Sequence, residues 1–256
     1  MKDFTFFKKQ AEKFHLLRLY NFLKNIRETL IDWRLTEKKR QESILLSRRV
    51  GRLLVSHFTG DKSQLADDRK GFLGFGLIHY ALIRNIKPKR VLCIGSKGGF
   101  IPAVCALACK DNHLGYVDFI DPGYGPEQPE DKYWGGTGFW REKDVAKHFS
   151  KLNLQDWLTH YLMTSAEFKK NYPQCLYDYI YVDGDHSYEG VKLDYNLFWP
   201  NLIEGGLMVF HDVIVKGFFE QGKCKYGVYK FWEELNNRHK ITFPFPKNSG
   251  LGILQK

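Results

Sequence analysis

No stretch of this 256-residue chain is apolar for long. The longest run, Phe100 to Cys109, covers about half of the roughly 20 residues a membrane-crossing helix needs. The opening Met-Lys-Asp-Phe, with Phe and Lys intermixed after it, lacks a signal-peptide core, so no secretory leader is expected. Five cysteines are an odd number without framework spacing, which suits a reducing cytoplasm better than secretion. Internal repeats and low-complexity segments are also missing. Acidic residues are in short supply, with 29 Asp+Glu against 39 Lys+Arg and a formal charge of +10. An apolar content of 43% and a charged content of 27% exclude a disordered or collagen-like chain. A chain of this size buries roughly three-quarters of its unfolded surface, so neither disulfides nor a structural metal is required. These absences leave a soluble, cytoplasmic, single-core protein as the expectation.

The basic excess is local. Residues 1–70 carry 17 Lys+Arg and 9 Asp+Glu, whereas the remainder is nearly balanced. Leu16, Leu19, Tyr20, Leu23, Ile26, Leu30 and Trp33 recur at spacings of three and four, a helical stripe with Arg18, Lys24, Arg27 and Arg34 between them. Such a helix packs its stripe on the main domain, closes a homo-oligomer, or lies on an anionic membrane surface at the inner face. Nucleic acid is not expected as a partner, because no DNA- or RNA-binding module accompanies the charge. Gly71-Phe-Leu-Gly-Phe-Gly76 reads as a joint, so residues 1–70 are expected as a basic helical extension and 71–256 as the main domain.

That domain alternates strands and helices. Arg90–Ile94, Tyr116–Ile120, Tyr161–Thr164, Tyr179–Val182, Gly206–Phe210 and Leu251–Leu254 read as strands, and Leu77–Arg84, Phe100–Lys110, Val191–Phe198 and Tyr226–Leu235 as helices. Crossovers of this length imply an α/β fold, a mainly parallel sheet with helices on both faces. Ligands in such sheets sit at the carboxyl ends of the strands, and three polar groups fall on that edge. The first is Gly95-Ser-Lys-Gly-Gly99, a turn open to close approach by a ligand at a helix start, although it misses the G-x-G-x-x-G spacing of dinucleotide-binding turns. The second is Asp121, able to accept two ribose hydroxyls or simply to form an Asp-Pro turn. The third is Asp183-Gly-Asp-His186 with His211-Asp212. If their strands are neighbours, about 4.8 Å apart, these side chains converge. Oxygen-rich groups suit magnesium, and a histidine shifts the balance toward manganese, iron or zinc.

With these pieces placed, the chain resembles a class I S-adenosylmethionine-dependent methyltransferase with a Rossmann-like sheet. Tyr181-Val-Asp-Gly-Asp-His-Ser-Tyr-Glu-Gly-Val191, Gly205-Gly-Leu-Met-Val-Phe-His-Asp212 and Gly227-Val-Tyr-Lys-Phe-Trp-Glu-Glu-Leu235 are similar to the bacterial macrocin-type O-methyltransferases of methyltransferase domain family 24. The resemblance implies that Gly95, Ser96 and Lys97 wrap the methionine part of the cofactor and that Asp121 holds the ribose. It places Ser165 and Ala166 near the adenine and Asp183 at the cofactor. It also implies a Mg²⁺ or Mn²⁺ ion at Asp183, His211 and Asp212, with His211 departing from the acidic pair of metal-dependent relatives. Cys93 departs too, where many class I enzymes carry an acidic residue. The implied reaction is methylation of a sugar, glycan or secondary-metabolite hydroxyl. His186 is the first candidate for the base, since a neutral imidazole is available near pH 7, and Asp185 the second. In the long loop Asp121–Arg141, Trp134 and Trp140 are candidates to stack on a small-molecule or glycan acceptor. Two other readings share the residues: a nicotinamide-dependent oxidoreductase, opposed by the glycine spacing, and a non-catalytic module that binds S-adenosylmethionine.

Overall fold

A computed structural model describes residues 47–58, 73–219, 224–236, 239–244 and 249–256. The chain divides into two compact units, Met1–Ser47 and Arg48–Lys256. The basic helical stripe between Leu16 and Trp33 lies outside the described residues. Helix α1, Arg48–Leu53, and the π-helical turn Leu54–Phe58 that continues it belong to the second unit, although the sequence groups them with the basic extension. Leu54 and Phe58 are buried there.

The second unit is built on a seven-stranded sheet. Its strands are β1 (Arg90–Ile94), β2 (Tyr116–Ile120), β3 (Leu158–Tyr161), β4 (Tyr177–Val182), β5 (Leu202–His211), β6 (Lys240–Phe243) and β7 (Leu251–Gln255), in the spatial order β3-β2-β1-β4-β5-β7-β6. All pairings are parallel except those of β7, which runs antiparallel to both β5 and β6. Strands β1, β2 and β4 are buried almost throughout, which is why they read as near-continuous apolar runs rather than alternations. Leu92, Ile94, Ile180, Val182, Met208 and Phe210 share one core cluster with Phe168, Val191, Phe198 and Phe231. Those partners lie on α6 (Ser165–Asn171), α7 (Tyr188–Phe198) and α8 (Val228–Glu234). Tyr179 and Tyr181, pointing the other way, meet His79 of α2 (Phe75–Ile86). Helix α3 (Phe100–Asn112) packs on α2 and is buried on nearly all sides, including Cys105 and Cys109, which serve as packing residues. Among the described residues no helix is long and apolar enough to cross a membrane.

Several boundaries differ from the sequence expectation, and one strand was not expected at all. Strand β3 occupies Leu158–Tyr161 and shares only Tyr161 with the expected Tyr161–Thr164, because Thr164 caps α6 through a reciprocal bond with Glu167. Helix α7 begins three residues early, with the Ser187 hydroxyl accepting the Gly190 N–H. The short edge strand β6 was not foreseen; its Lys-Ile-Thr-Phe sequence buries no continuous face and depends on pairing with β7.

His79 is fully buried and shares a 2.5 Å hydrogen bond with the Tyr179 hydroxyl through Nδ1. Burial first, then the charge of His211, push its pKa down from 6.5 to about 3. The unfolded chain therefore binds this proton more readily, and the native state loses stability as pH falls from about 6.5 toward 3. The substitution His79→Phe removes that titration. Between pH 7.5 and 5 the stability difference is expected to move in the variant's favour by about 2 kcal/mol, read from urea midpoints. A difference that stays constant over this range would show that His79 does not titrate in that way.

Candidate active site

The order of strands reverses between β1 and β4, the place where an open α/β sheet holds its ligand. Here the backbone continues the sheet beyond the strand ends: Gly95 N–H donates to the Ile120 carbonyl and Asp183 N–H to that of Ile94, both at 2.8 Å. Gly95 adopts φ +72°, and a Cβ on it would fall 2.2 Å from the Asp183 carbonyl oxygen, so only glycine admits this approach. Asp121, one residue beyond β2, accepts the N–H groups of Gly123 at 2.8 Å and Ser96 at 3.3 Å. Burial raises its pKa; those two backbone bonds oppose the rise and the Asp183 charge adds to it.

Two neutral histidines support these loops from outside the cavity. His148 Nε2–H donates to the Gly98 carbonyl at 3.0 Å, and His160 Nε2–H to that of Asp121 at 3.2 Å. Burial lowers both pKa values to about 4. Trp140 packs between the two, with ring centroids 5.6 Å and 4.8 Å away.

Because β4 and β5 are adjacent and pair Val182 with Phe210, the residues that follow them stand side by side. His186 Nδ1 lies 2.6 Å from Asp212 Oδ2, a charge-assisted contact. His211 Nδ1 lies 3.0 Å from Asp183 Oδ1 and 3.3 Å from Asp212 Oδ1. Neither His211 Nδ1 nor Asp183 Oδ1 is met by a well-directed hydrogen bond, although both are buried. The other Asp183 oxygen, Oδ2, accepts the buried Tyr181 hydroxyl at 2.9 Å. Burial disfavours charge on both histidines, but Asp212 and Asp183 outweigh it, so both pKa values rise, that of His211 well above the usual value. The same pairing holds the Asp212 carboxyl well below the usual range against the opposing effect of burial. Ligand atoms of Asp183, His186 and Asp212 lie within 4.8 Å of one another. Two carboxylates, one of them with a buried oxygen that lacks a directed donor, and imidazole nitrogen make a donor set that fits a divalent cation.

Residues 92–213 match the sequence model of a family described as a methyltransferase domain. A protein of Sinorhizobium fredii, "Uncharacterized protein y4gI", is 27% identical over 197 residues, covering 73% of this chain and 19% of that protein. The chain thus spans about a fifth of the length of that curated relative. Among solved structures, the S-adenosylhomocysteine-bound methyltransferase PaMTH1 of Podospora anserina superposes with a TM-score of 0.53 at 17% identity, covering 79% of this chain and 87% of that one. The O-methyltransferase TomG of Streptomyces achromogenes, "involved in Tomaymycin synthesis" and solved with S-adenosylmethionine, gives 0.52 at 14% identity, covering 78% and 87%. The fold is therefore that of S-adenosylmethionine-dependent O-methyltransferases.

The second unit encloses a cavity of about 760 Å³ over this edge. Gly95, Ser96, Lys97, Asp121, Trp134, Ser165, Asp183, Asp185, His186, His211 and Asp212 all line it. Two residues expected at the site do not. Trp140 is buried, because the short helix α4 (Phe139–Glu142) turns it inward onto Phe119, His148 and Phe149, where it backs the glycine turn instead of facing an acceptor. Ala166 lies exposed in the first turn of α6, off the cavity. Asp185 holds the loop: its Oδ1 accepts both the Ser187 N–H at 2.8 Å and the Trp134 indole N–H at 3.0 Å. Trp134 in turn lies with its ring 5.0 Å from His186 and 5.3 Å from Tyr226. Tyr181, Asp194, Phe219 and Tyr226 also line the cavity and were not anticipated. The aromatic residues between Phe218 and Tyr226 are a signal comparable to Trp134, but Tyr181 and Asp194 sit inside a strand and a helix, where their sequence pattern looks structural.

Proposed function

We propose that this chain transfers the methyl group of S-adenosylmethionine to a hydroxyl of a sugar, glycan or secondary metabolite, assisted by a divalent cation such as Mg²⁺ or Mn²⁺. The observation that carries the proposal is the convergence, in one cavity, of the glycine turn, Asp121 and the His186–Asp212 pair. Gly95, Ser96 and Lys97 bind the methionine part of the donor, and Asp121 accepts the ribose hydroxyls. The acceptor oxygen attacks the methyl carbon in line with sulfur. The carbon–sulfur bond breaks with its electron pair passing to sulfur, leaving a neutral thioether. Alignment of the two partners is the main contribution of the protein to such a step.

His186 removes the hydroxyl proton. Its Nδ1–H is held by Asp212, which leaves the Nε2 lone pair for the acceptor. His211 is assigned to the cation with Asp183 and Asp212, because His211 Nδ1 and Asp183 Oδ1 lack directed partners whereas His186 Nδ1 is already engaged. A bound cation would supply Lewis acidity that lowers the pKa of the acceptor hydroxyl. Trp134, with Phe219 and Tyr226 beside it, offers the aromatic surface on which a sugar or flat ring rests. Site of action and partners beyond the acceptor follow the sequence expectation: the cytoplasm, with the basic N-terminal segment available to a membrane surface or a second copy.

Calorimetric titration of S-adenosylhomocysteine into the full chain, with Mn²⁺ and then with a chelator, tests this assignment. Micromolar binding is expected, with heat or affinity changing on chelation. Absence of binding under both conditions, or binding of NAD in its place, would refute it.

A further inference from the structure

The cavity contains an acid for which the transfer chemistry has no use. Asp194 faces it from the middle of α7, only 4% exposed. Its Oδ1 accepts the Ser165 hydroxyl at 2.6 Å. No other donor reaches the carboxyl among the described residues, although an ionised carboxylate offers about four acceptor positions. Its free oxygen, Oδ2, lies beside Gly184, where an added Cβ would come within 3.3 Å of it, so the absence of a side chain at 184 keeps the approach open. The apolar side chains of Ile94 and Leu193 line the cavity nearby. Burial, partly offset by the Ser165 bond and reinforced by the Asp185 charge, raises the Asp194 pKa to about 7. A buried acid held this way has room for a further hydrogen-bond donor, which a ligand in the cavity can supply.

The glycine turn after β1, Asp121 after β2 and Ser165 after β3 line the cavity in the order of their strands. With Asp121 on the ribose, as proposed above, the base of the donor falls on the Ser165 side, within reach of Asp194. A purine edge that fits an acceptor-only group between apolar walls is one bearing an exocyclic amine. Ala166, exposed and off the cavity, provides no competing contact. We infer that Asp194, buttressed by Ser165, accepts the 6-amino group of the cofactor's adenine and makes the site selective for a 6-amino over a 6-oxo purine. This rests on the cavity being the S-adenosylmethionine site.

The test compares S-adenosylhomocysteine with S-inosylhomocysteine, which carries a 6-oxo group, by calorimetry at pH 8, where the carboxyl is ionised. Wild type is expected to prefer the adenine ligand by about 100-fold or more, since a buried acceptor facing another acceptor is left unpaired. In Asp194→Asn the amide keeps its carbonyl toward Ser165 and turns its NH₂ into the cavity. The preference is then expected to collapse to within about threefold or to invert. Ser165→Ala, which keeps the carboxylate, is expected to retain most of the discrimination. Equal weakening of both ligands in Asp194→Asn would assign the residue a structural role and overturn the inference. A wild-type preference below about threefold would overturn it without any variant, and so decides the matter if Asp194→Asn fails to fold. Binding of neither ligand to wild type would instead count against the methyltransferase assignment of the cavity.

Discussion

The substitution His186→Asn is expected to lower turnover by about 10²–10⁴-fold, the usual contribution of a positioned general base. Affinity for S-adenosylhomocysteine is expected to stay within about twofold, because the lost interaction belongs to the acceptor proton and not to the donor. Asparagine is the informative replacement. Its Nδ2 can occupy the place of imidazole Nδ1 and keep the bond to Asp212, which in the native chain spans 2.6 Å. The variant thus preserves the charge arrangement around Asp183 and Asp212 while removing the lone pair that Nε2 offers. His186→Ala would leave Asp212 without that partner, and its effect would mix lost base strength with a rearranged acidic pair. Turnover is measured as S-adenosylhomocysteine release against a panel of free sugars and small phenols. Unchanged turnover in His186→Asn would remove His186 as the base and transfer it to the set of cation ligands, where its distance to Asp183 and Asp212 also allows it to serve.

How legible this site is in the sequence depends on which physical signal each residue leaves. Strands β1 and β2 are short apolar runs bounded by Gly and Asp, and the structure has them at Arg90–Ile94 and Tyr116–Ile120 as read. Polar residues that directly follow such runs stand out, and this made Asp121, Asp183 and His211 visible as a set. Their convergence needed one further fact, the adjacency of β4 and β5, which the sheet supplies. Residues inside elements leave no such mark. Asp194 has the spacing of any polar residue on an amphipathic helix, and Tyr181 that of any aromatic residue in a buried strand. Trp140 failed for a related reason: a tryptophan in a long glycine-rich segment could face an acceptor or fill a core. Only the turn of α4 onto Phe119 and Phe149 separates the two. The supports at His148 and His160 are bonds to backbone carbonyls, which any side chain with an N–H could make, so no residue pattern announces them.

Gly95→Ala is the second large effect, and its size follows from overlap more than from backbone preference. A φ of +72° costs a non-glycine residue about 1–2 kcal/mol. The same φ occurs at Gly138, where a Cβ would meet nothing within 4 Å. At Gly95 the Cβ would lie 2.2 Å from the Asp183 carbonyl oxygen and 2.8 Å from the Gly184 Cα, both of them backbone. A side chain could rotate away from such a contact, but these atoms are fixed by the bond from Asp183 N–H to the Ile94 carbonyl and by the β1–β4 ladder. The ends of β1 and β4 must therefore part, which displaces both Asp183 and the glycine turn proposed to hold the cofactor. A stability loss of about 3 kcal/mol or more is expected for Gly95→Ala, a fall in Tm of roughly 6–12 °C for a chain of this length. The companion Gly138→Ala is expected to lose only about 1–2 kcal/mol. Binding of S-adenosylhomocysteine should weaken by about 100-fold or more in the first variant, as expected when site geometry shifts by an ångström, and stay near wild type in the second. Similar losses in the two variants would mean that left-handed strain alone sets the cost, and the close packing of β1 against β4 would then have no special part in shaping the site.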